Sequence, residues 1–371
     1  MLLFGSTCKL LPRLPKSFDF FSRLLLGLAL SSLLHGCQVD YYWHLFRGQA
    51  NIYFNREPLA KVISAQNLDA QRTDKLLFIE KLKDFASNQI GLDKSTSYTC
   101  FFDTKGQPIS WNLSASPPDR FEPYLWNFPL IGSVPYKGFF DKDRGLEERN
   151  LLQSSGMDVL LRPVSAYSTL GFFSDPVLST MLNYSHDRLA ELILHELTHE
   201  TIYAKGHTDF NESLATFVGQ RGSLLFLAEL YGSETPLIEQ AQKRREDQAR
   251  FGNFITGVLA SLDSLYSLDL ARQKVLKDRK LVFNQAKKKY KAIQTEFKII
   301  NYDGFLEWKI NNAHLLSHRR YHRDLESFHE LFRIKHNRLD LMLASLKSCQ
   351  DAENPWACLQ QSISLSAPLP Q

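Results

Sequence analysis

The sequence predicts an α+β fold that is mainly helical, with a small β-sheet in its first half and a long antiparallel helical region at its end. Three observations predict it. Apolar residues recur at three- and four-residue spacing over much of the chain. Short alternating segments bounded by Gly and Pro lie between residues 97 and 164. Beyond Pro236 the composition turns rich in Lys, Arg, Gln and Glu while the helical spacing continues.

Residues 39–55 and 70–90 read as helices, the second on Leu76, Leu77, Ile79, Leu82 and Phe85. Residues 97–113 read as a hairpin, Tyr98 to Phe102 and Ile109 to Leu113 around a Lys105-Gly-Gln-Pro turn. Residues 115–140 are rich in Pro, Gly and aromatic rings, which predicts irregular backbone with short strands. Met157 to Val164 reads as a strand. A helix is predicted over 187–205, ending at Gly206 as a left-handed residue just past its terminus. The next helix starts near Asp209 and runs past Leu230. Residues 237–300 predict two long antiparallel helices, with Phe254, Val258, Leu262 and Leu265 at helical spacing, and more helix follows from about 304 to 348. The composition change marks a domain boundary, or at least a change of layer, near residue 233. The expected division is 1–36, 37–233 and 234–371.

The chain has 371 residues, of which 44% are hydrophobic and 23% charged. That composition excludes wholesale disorder and a multispanning membrane protein. A net charge of +4 is too small over this length to favour nucleic acid. Lys9, Arg13, Lys16 and Arg23 face one acid, Asp19, ahead of an uncharged run from Leu24 to Leu34. That run is too short to span a bilayer and reads as the apolar region of a secretory signal. Leu34-His-Gly-Cys37 resembles a bacterial lipobox, so Cys37 is the expected mature N-terminus and site of lipidation. Gln38 behind it resembles proteins sent to the outer membrane, in which case the chain faces the periplasm and meets the membrane through its lipid anchor. In that oxidising compartment Cys349 and Cys358 are expected to pair, leaving Cys100 free.

His195-Glu-Leu-Thr-His199 matches H-E-x-x-H inside a predicted helix. Positions i and i+4 share a helix face, so both imidazoles can reach one ion at about 2.0–2.1 Å. Glu196, one step round, suits a general base acting on a metal-bound water. The apolar neighbours Leu192, Ile193, Leu194 and Leu197 imply a buried helix, where two imidazoles and a carboxylate need a partner. A catalytic zinc takes three protein ligands and one water. Glu212 is the expected third ligand. Ala215, Gly219 and Gly222 fall on its face and would let two helices approach closely. Two alternatives stand beside it: Asp209 and Glu212 also have capping-box spacing, and His207 would give an all-histidine site. Tyr167 and Tyr136 are candidate donors to the transition-state oxyanion, and Ser168 to Phe173 could form an edge strand for extended peptide.

Several stretches carry a resemblance that covers nearly the whole mature chain. They include Tyr41-Tyr-Trp43, Ser97-Tyr-Thr99, Val134-Pro-Tyr-Lys-Gly-Phe-Phe140, Ser165-Ala-Tyr-Ser-Thr-Leu-Gly171, Asp175-Pro176, the His195–His199 motif, Phe210-Asn-Glu-Ser-Leu-Ala-Thr-Phe-Val-Gly219 and Asn311-Asn-Ala313. On them the chain resembles the bacterial predicted aminopeptidases, whose metal site is similar to that of the gluzincin metallopeptidases. The resemblance implies a zincin-like catalytic domain, one zinc ion, His195, His199 and Glu212 as ligands, Glu196 as base and a peptide as substrate. Two other functions remain open at this point: a lipid-anchored binding or assembly factor with a structural metal, and a zinc hydrolase of cell-wall amides.

Overall fold

A computed structural model describes residues 38–128, 132–164, 174–321 and 325–366. The leader, Cys37, Tyr167 and the expected edge strand at 168–173 lie outside the described residues. The chain forms two compact units, Met1–Asn51 and Ile52–Gln371. The first contains most of α1 (Gln38–Asn55). Among the described residues no helix is long and apolar enough to cross a membrane.

Among its described residues the second unit is mainly helical with three small sheets. It opens with β1 (Glu57–Pro58), α2 (Leu59–Ser64) and α3 (Ala70–Asn88). Asp69 caps α3 by accepting the Arg72 N–H at 2.8 Å. Leu76, Ile79, Leu82 and Phe85 are buried as their spacing requires, whereas Leu77 is exposed.

The strands are β2 (Cys100–Phe102), β3 (Trp111–Ser116), β4 (Trp126–Phe128), β5 (Gly132–Val134), β6 (Lys137–Phe139), β7 (Asp158–Pro163) and β8 (Val177–Leu178), with α4 (Lys142–Ser154) between β6 and β7. The expected hairpin over 97–113 does not form. β2 pairs antiparallel with β1 and parallel with β8, while β3 lies antiparallel between β6 and β7. The turn is present, with Lys105 and Gly106 both left-handed (φ 53° and 74°). It delivers the chain to another sheet because each strand finds a longer-range partner there. The strand predicted at 157–164 and the short strands predicted within 115–140 are observed.

Two helices follow, α5 (His186–Thr201) and α6 (Thr208–Tyr231). α5 stops at Thr201, earlier than its periodicity suggests, and Gly206 (φ 84°) sits in the turn before α6 instead of closing α5. The cause is Asn211. Its buried side chain accepts the Ala204 N–H and donates to the Ala204 carbonyl, both at 2.8 Å, and so holds the linker out of the helix. α6 is apolar around most of its circumference, burying Phe210, Leu214, Phe217, Val218, Phe226 and Leu227, as a central helix must.

The predicted antiparallel pair is α7 (Pro236–Tyr266) and α8 (Arg272–Ile293). The composition change near residue 233 coincides with the passage from α6 to α7. The helix expected over 304–348 is broken into α9 (Gly304–Glu307), α10 (Asn312–Tyr321), α11 (Leu325–Ile334) and α12 (Leu339–Leu346). Between the last two, His336 and Asn337 are both left-handed (φ 57°). The described chain ends with α13 (Pro355–Ser366). Cys349 and Cys358 are bonded, as expected, and Cys100 is free.

Two cores result. The larger packs α3, α5, α6, α11 and α12 together. The smaller gathers Phe251, Val258 and Leu262 of α7 with Phe283 and Tyr290 of α8, and with Phe305 and Leu315. Asn311 and Asn312 tie this second core to the sheet. The Asn311 amide donates to the Val159 carbonyl at 2.9 Å, and the Asn312 amide donates to the carbonyls of Pro117 and Arg120 at 2.9 and 3.0 Å. Asp158, at the end of β7, pairs with Arg279 of α8 at 2.7 Å and accepts the Asn312 N–H at 2.9 Å.

Candidate metal centre

α5 and α6 bring three ligand atoms together. His195, His199 and Glu212 each offer one atom, all within 4.8 Å of one another. The two histidine Nε2 atoms are 3.2 Å apart. Glu212 Oε2 lies 3.4 Å from His195 Nε2 and 3.9 Å from His199 Nε2. Ligands held tetrahedrally at about 2.0–2.1 Å from one ion stand about 3.4 Å apart, so these separations fit a single divalent metal. Buried polar and charged groups need partners, and one metal ion would serve all three.

The backbone explains the convergence. α6 runs antiparallel to α5, with residue 212 facing 195 and 199 and residue 219 facing 191. A Cβ on Gly219 would stand 2.6 Å from the Glu191 carbonyl oxygen and 3.4 Å from the His195 Cβ. A Cβ on Gly222 would stand 2.9 Å from Leu194 Cδ1. Only glycine permits this spacing at residue 219, and the close approach puts the Glu212 carboxylate at the two imidazoles. The expected stripe of small residues therefore does what its pattern suggests.

The capping-box role for Glu212 and the rival ligand His207 can both be compared with the described geometry. Asp209 is the second residue inside α6, not its cap, so it does not begin a capping box with Glu212. His207 occupies the cap position of α6 and is not in the ligand cluster.

The two imidazoles differ in their electrostatics. Burial, and then the neighbouring His195, brings His199 down to about 4 despite the Glu212 charge, so its ring is neutral at ordinary pH. Burial also opposes charge on His195, but the hydrogen bond to Glu212 and the charges of Glu196, Glu212 and Glu191 outweigh it, and its pKa is raised. His199 Nδ1 is buried without a hydrogen-bond partner, so that ring makes its polar contacts through Nε2, into the cluster. α5 is held from outside as well. Arg245 of α7 pairs with Glu191 at 2.8 Å and donates to Ser223 at 2.9 Å, and Arg244 pairs with Asp187 at 2.7 Å.

Glu196 follows His195 on α5 and is half-buried. Tyr136 stands half-buried in the link between β5 and β6. Two tyrosines missed by the sequence reading stand near the centre. Tyr203, in the linker after α5, meets the His199 ring edge-on at a centroid distance of 6.4 Å. Burial, and then the Glu212 charge, raises its pKa. Tyr98 is fully buried with a left-handed backbone (φ 58°) and a phenol lacking a hydrogen-bond partner. Its burial and the charge of Glu196 push it well above 10. Its N–H donates to the Asp175 carbonyl at 2.6 Å, and Ser97 accepts the Asp175 N–H at 2.9 Å. No periodicity marks either tyrosine, because one lies in a linker and the other in a turn. The only signal was Tyr98's place in one of the stretches that carried the resemblance.

No curated protein and no solved structure matches this chain. A family model does match, over residues 40–356, and its description is "Putative aminopeptidase". That span covers α5 and α6, the sheets and most of the C-terminal helices, so the chain belongs to this family, whose name suggests a peptidase.

Proposed function

We propose that the protein is a zinc-dependent, aminopeptidase-like peptidase with a zincin-like catalytic centre, held at the bacterial cell envelope by lipid on Cys37. The observation that carries the catalytic reading is the convergence of His195 Nε2, His199 Nε2 and a Glu212 carboxylate oxygen, with Glu196 next in sequence to the first. Zinc bound by these three residues would polarise a scissile carbonyl and bring the pKa of its water to about 7.

The chain's own groups supply the rest. Glu196 accepts the proton of the attacking water and delivers it to the leaving amine. Tyr203, against His199 and within the field of Glu212, is assigned as a donor of a hydrogen bond to the developing oxyanion. Arg245 of α7 bridges α5 and α6 through Glu191 and Ser223. A structural zinc would take four protein ligands, and the cluster among the described residues offers three, which favours an open catalytic position.

The test is turnover of a mixed-sequence peptide library, and in parallel of peptidoglycan fragments, by wild type and by Glu196→Gln. Peptide cleavage that the variant lacks supports the proposal. Cleavage of cell-wall amides alone would move the substrate to that class, and an equally active Glu196→Gln would remove the assigned base.

A further inference from the structure

α1 carries an exposed apolar face that the metal centre does not use. Trp43 and Phe46 are 57% and 61% exposed, and Val39 and Phe54 are exposed on the same helix. At 3.6 residues per turn these four side chains fall within roughly 100° of the helix circumference. Trp43 and Phe46 stack with ring centroids 5.5 Å apart. Tyr41, round the helix from them, is buried. These four exposed side chains are hydrocarbon and aromatic rings, which water solvates poorly, and Asp40, Arg47 and Asn51 are exposed beside them.

The position of the helix in the chain says what covers that face. The described part of α1 starts at Gln38, one residue after Cys37. Acyl chains on Cys37 would hold this end of α1 at the level of the lipid headgroups. Tryptophan and other aromatic residues concentrate at that level, and an amphipathic helix there lies in the plane of the surface. Arg47 is exposed near the border of the aromatic face, where its long side chain can reach lipid phosphate.

We infer that the Val39–Trp43–Phe46 face of α1 rests on the bilayer, with Trp43 at the boundary between headgroups and acyl chains, as a second membrane contact beside the anchor. The inference rests on the reading of Cys37 as the lipidated residue. Its test uses the full chain purified from membranes and reconstituted into phosphatidylethanolamine–phosphatidylglycerol vesicles with brominated acyl chains.

Trp43 is one of five tryptophans, so bromine should quench a minor fraction of the emission. Trp43→Phe should shrink that fraction about threefold or more while leaving the rest of the spectrum unchanged. Protein that floats with vesicles but shows no quenching at Trp43 overturns the inference. So does cross-linking of two copies through α1 without such quenching, which would assign the face to a second copy of the chain. The mass of the N-terminal peptide reads the anchor separately. An acylated Cys37 without quenching sinks the helix contact alone. An unacylated Cys37 with quenching removes the anchor and leaves the helix contact standing.

Discussion

Gly219 of α6 lies so close to α5 that a single added carbon would stand 2.6 Å from the carbonyl oxygen of Glu191. The atom in the way is backbone, so nothing flexible can swing aside. Gly219→Ala must push the two ligand helices apart. A cost of about 1–3 kcal/mol is expected, as for other overpacked cores. The separation should also draw Glu212 away from the two histidines. The variant is predicted to unfold at lower urea concentration than wild type and to bind zinc more weakly. Wild-type zinc affinity in folded Gly219→Ala would contradict this link between spacing and site.

Glu196→Gln keeps the size of the side chain but cannot accept a proton. Zinc content should stay at the wild-type level, because Glu196 is not among the three converging ligands. Peptide turnover should fall by about two to four orders of magnitude. Kinetics and metal content measured on one preparation check both halves.

Tyr203→Phe removes one hydroxyl from the ring that meets His199. If that hydroxyl stabilises the oxyanion, kcat should drop roughly 10- to 1,000-fold with little change in KM. A purely structural tyrosine would instead lower the unfolding midpoint and leave kcat alone.

Asp247 of α7 is fully buried and gathers the N–H groups of Lys298, Ile299 and Ile300 at 2.6 to 3.0 Å. Burial alone would raise its pKa. The three N–H groups, together with Arg250, prevail and hold it below the ordinary 3.8. A depressed folded pKa means stability that is present above the unfolded value and lost as pH falls through the folded one. Asp247→Asn should therefore cost about 2–4 kcal/mol at pH 7, where three backbone donors lose a charged acceptor. The gap between variant and wild type should narrow as the pH drops below about 4. Urea unfolding at neutral and acid pH measures both; a gap independent of pH would contradict the charge argument.

The grouping of His195, His199 and Glu212 was legible because local chemistry and helix geometry coincide there. A motif of fixed spacing on a helix needs no tertiary information to place two imidazoles on one side. Glu212 took one more step, a stripe of small residues that permits close packing, and Gly219 and Gly222 carry that step in the structure. The long helices at 208–231, 236–266 and 272–293 were legible from periodicity. What failed was decided by distant partners. Phe101 pairs with Val177 instead of closing a hairpin, and Asn211 ends α5 by binding Ala204 across the linker. Tyr203 and Tyr98 went unread for the same reason. Their positions depend on where a linker and a turn are held, and residue spacing does not encode that.

The most direct test of the account is elemental analysis of the full chain, stripped with chelator, refilled with zinc and dialysed free of excess. Wild type is predicted to retain one zinc per chain, and the His195→Ala and His199→Ala variants to retain none while remaining folded by circular dichroism. Folded wild-type protein that emerges without metal would contradict the account at its centre.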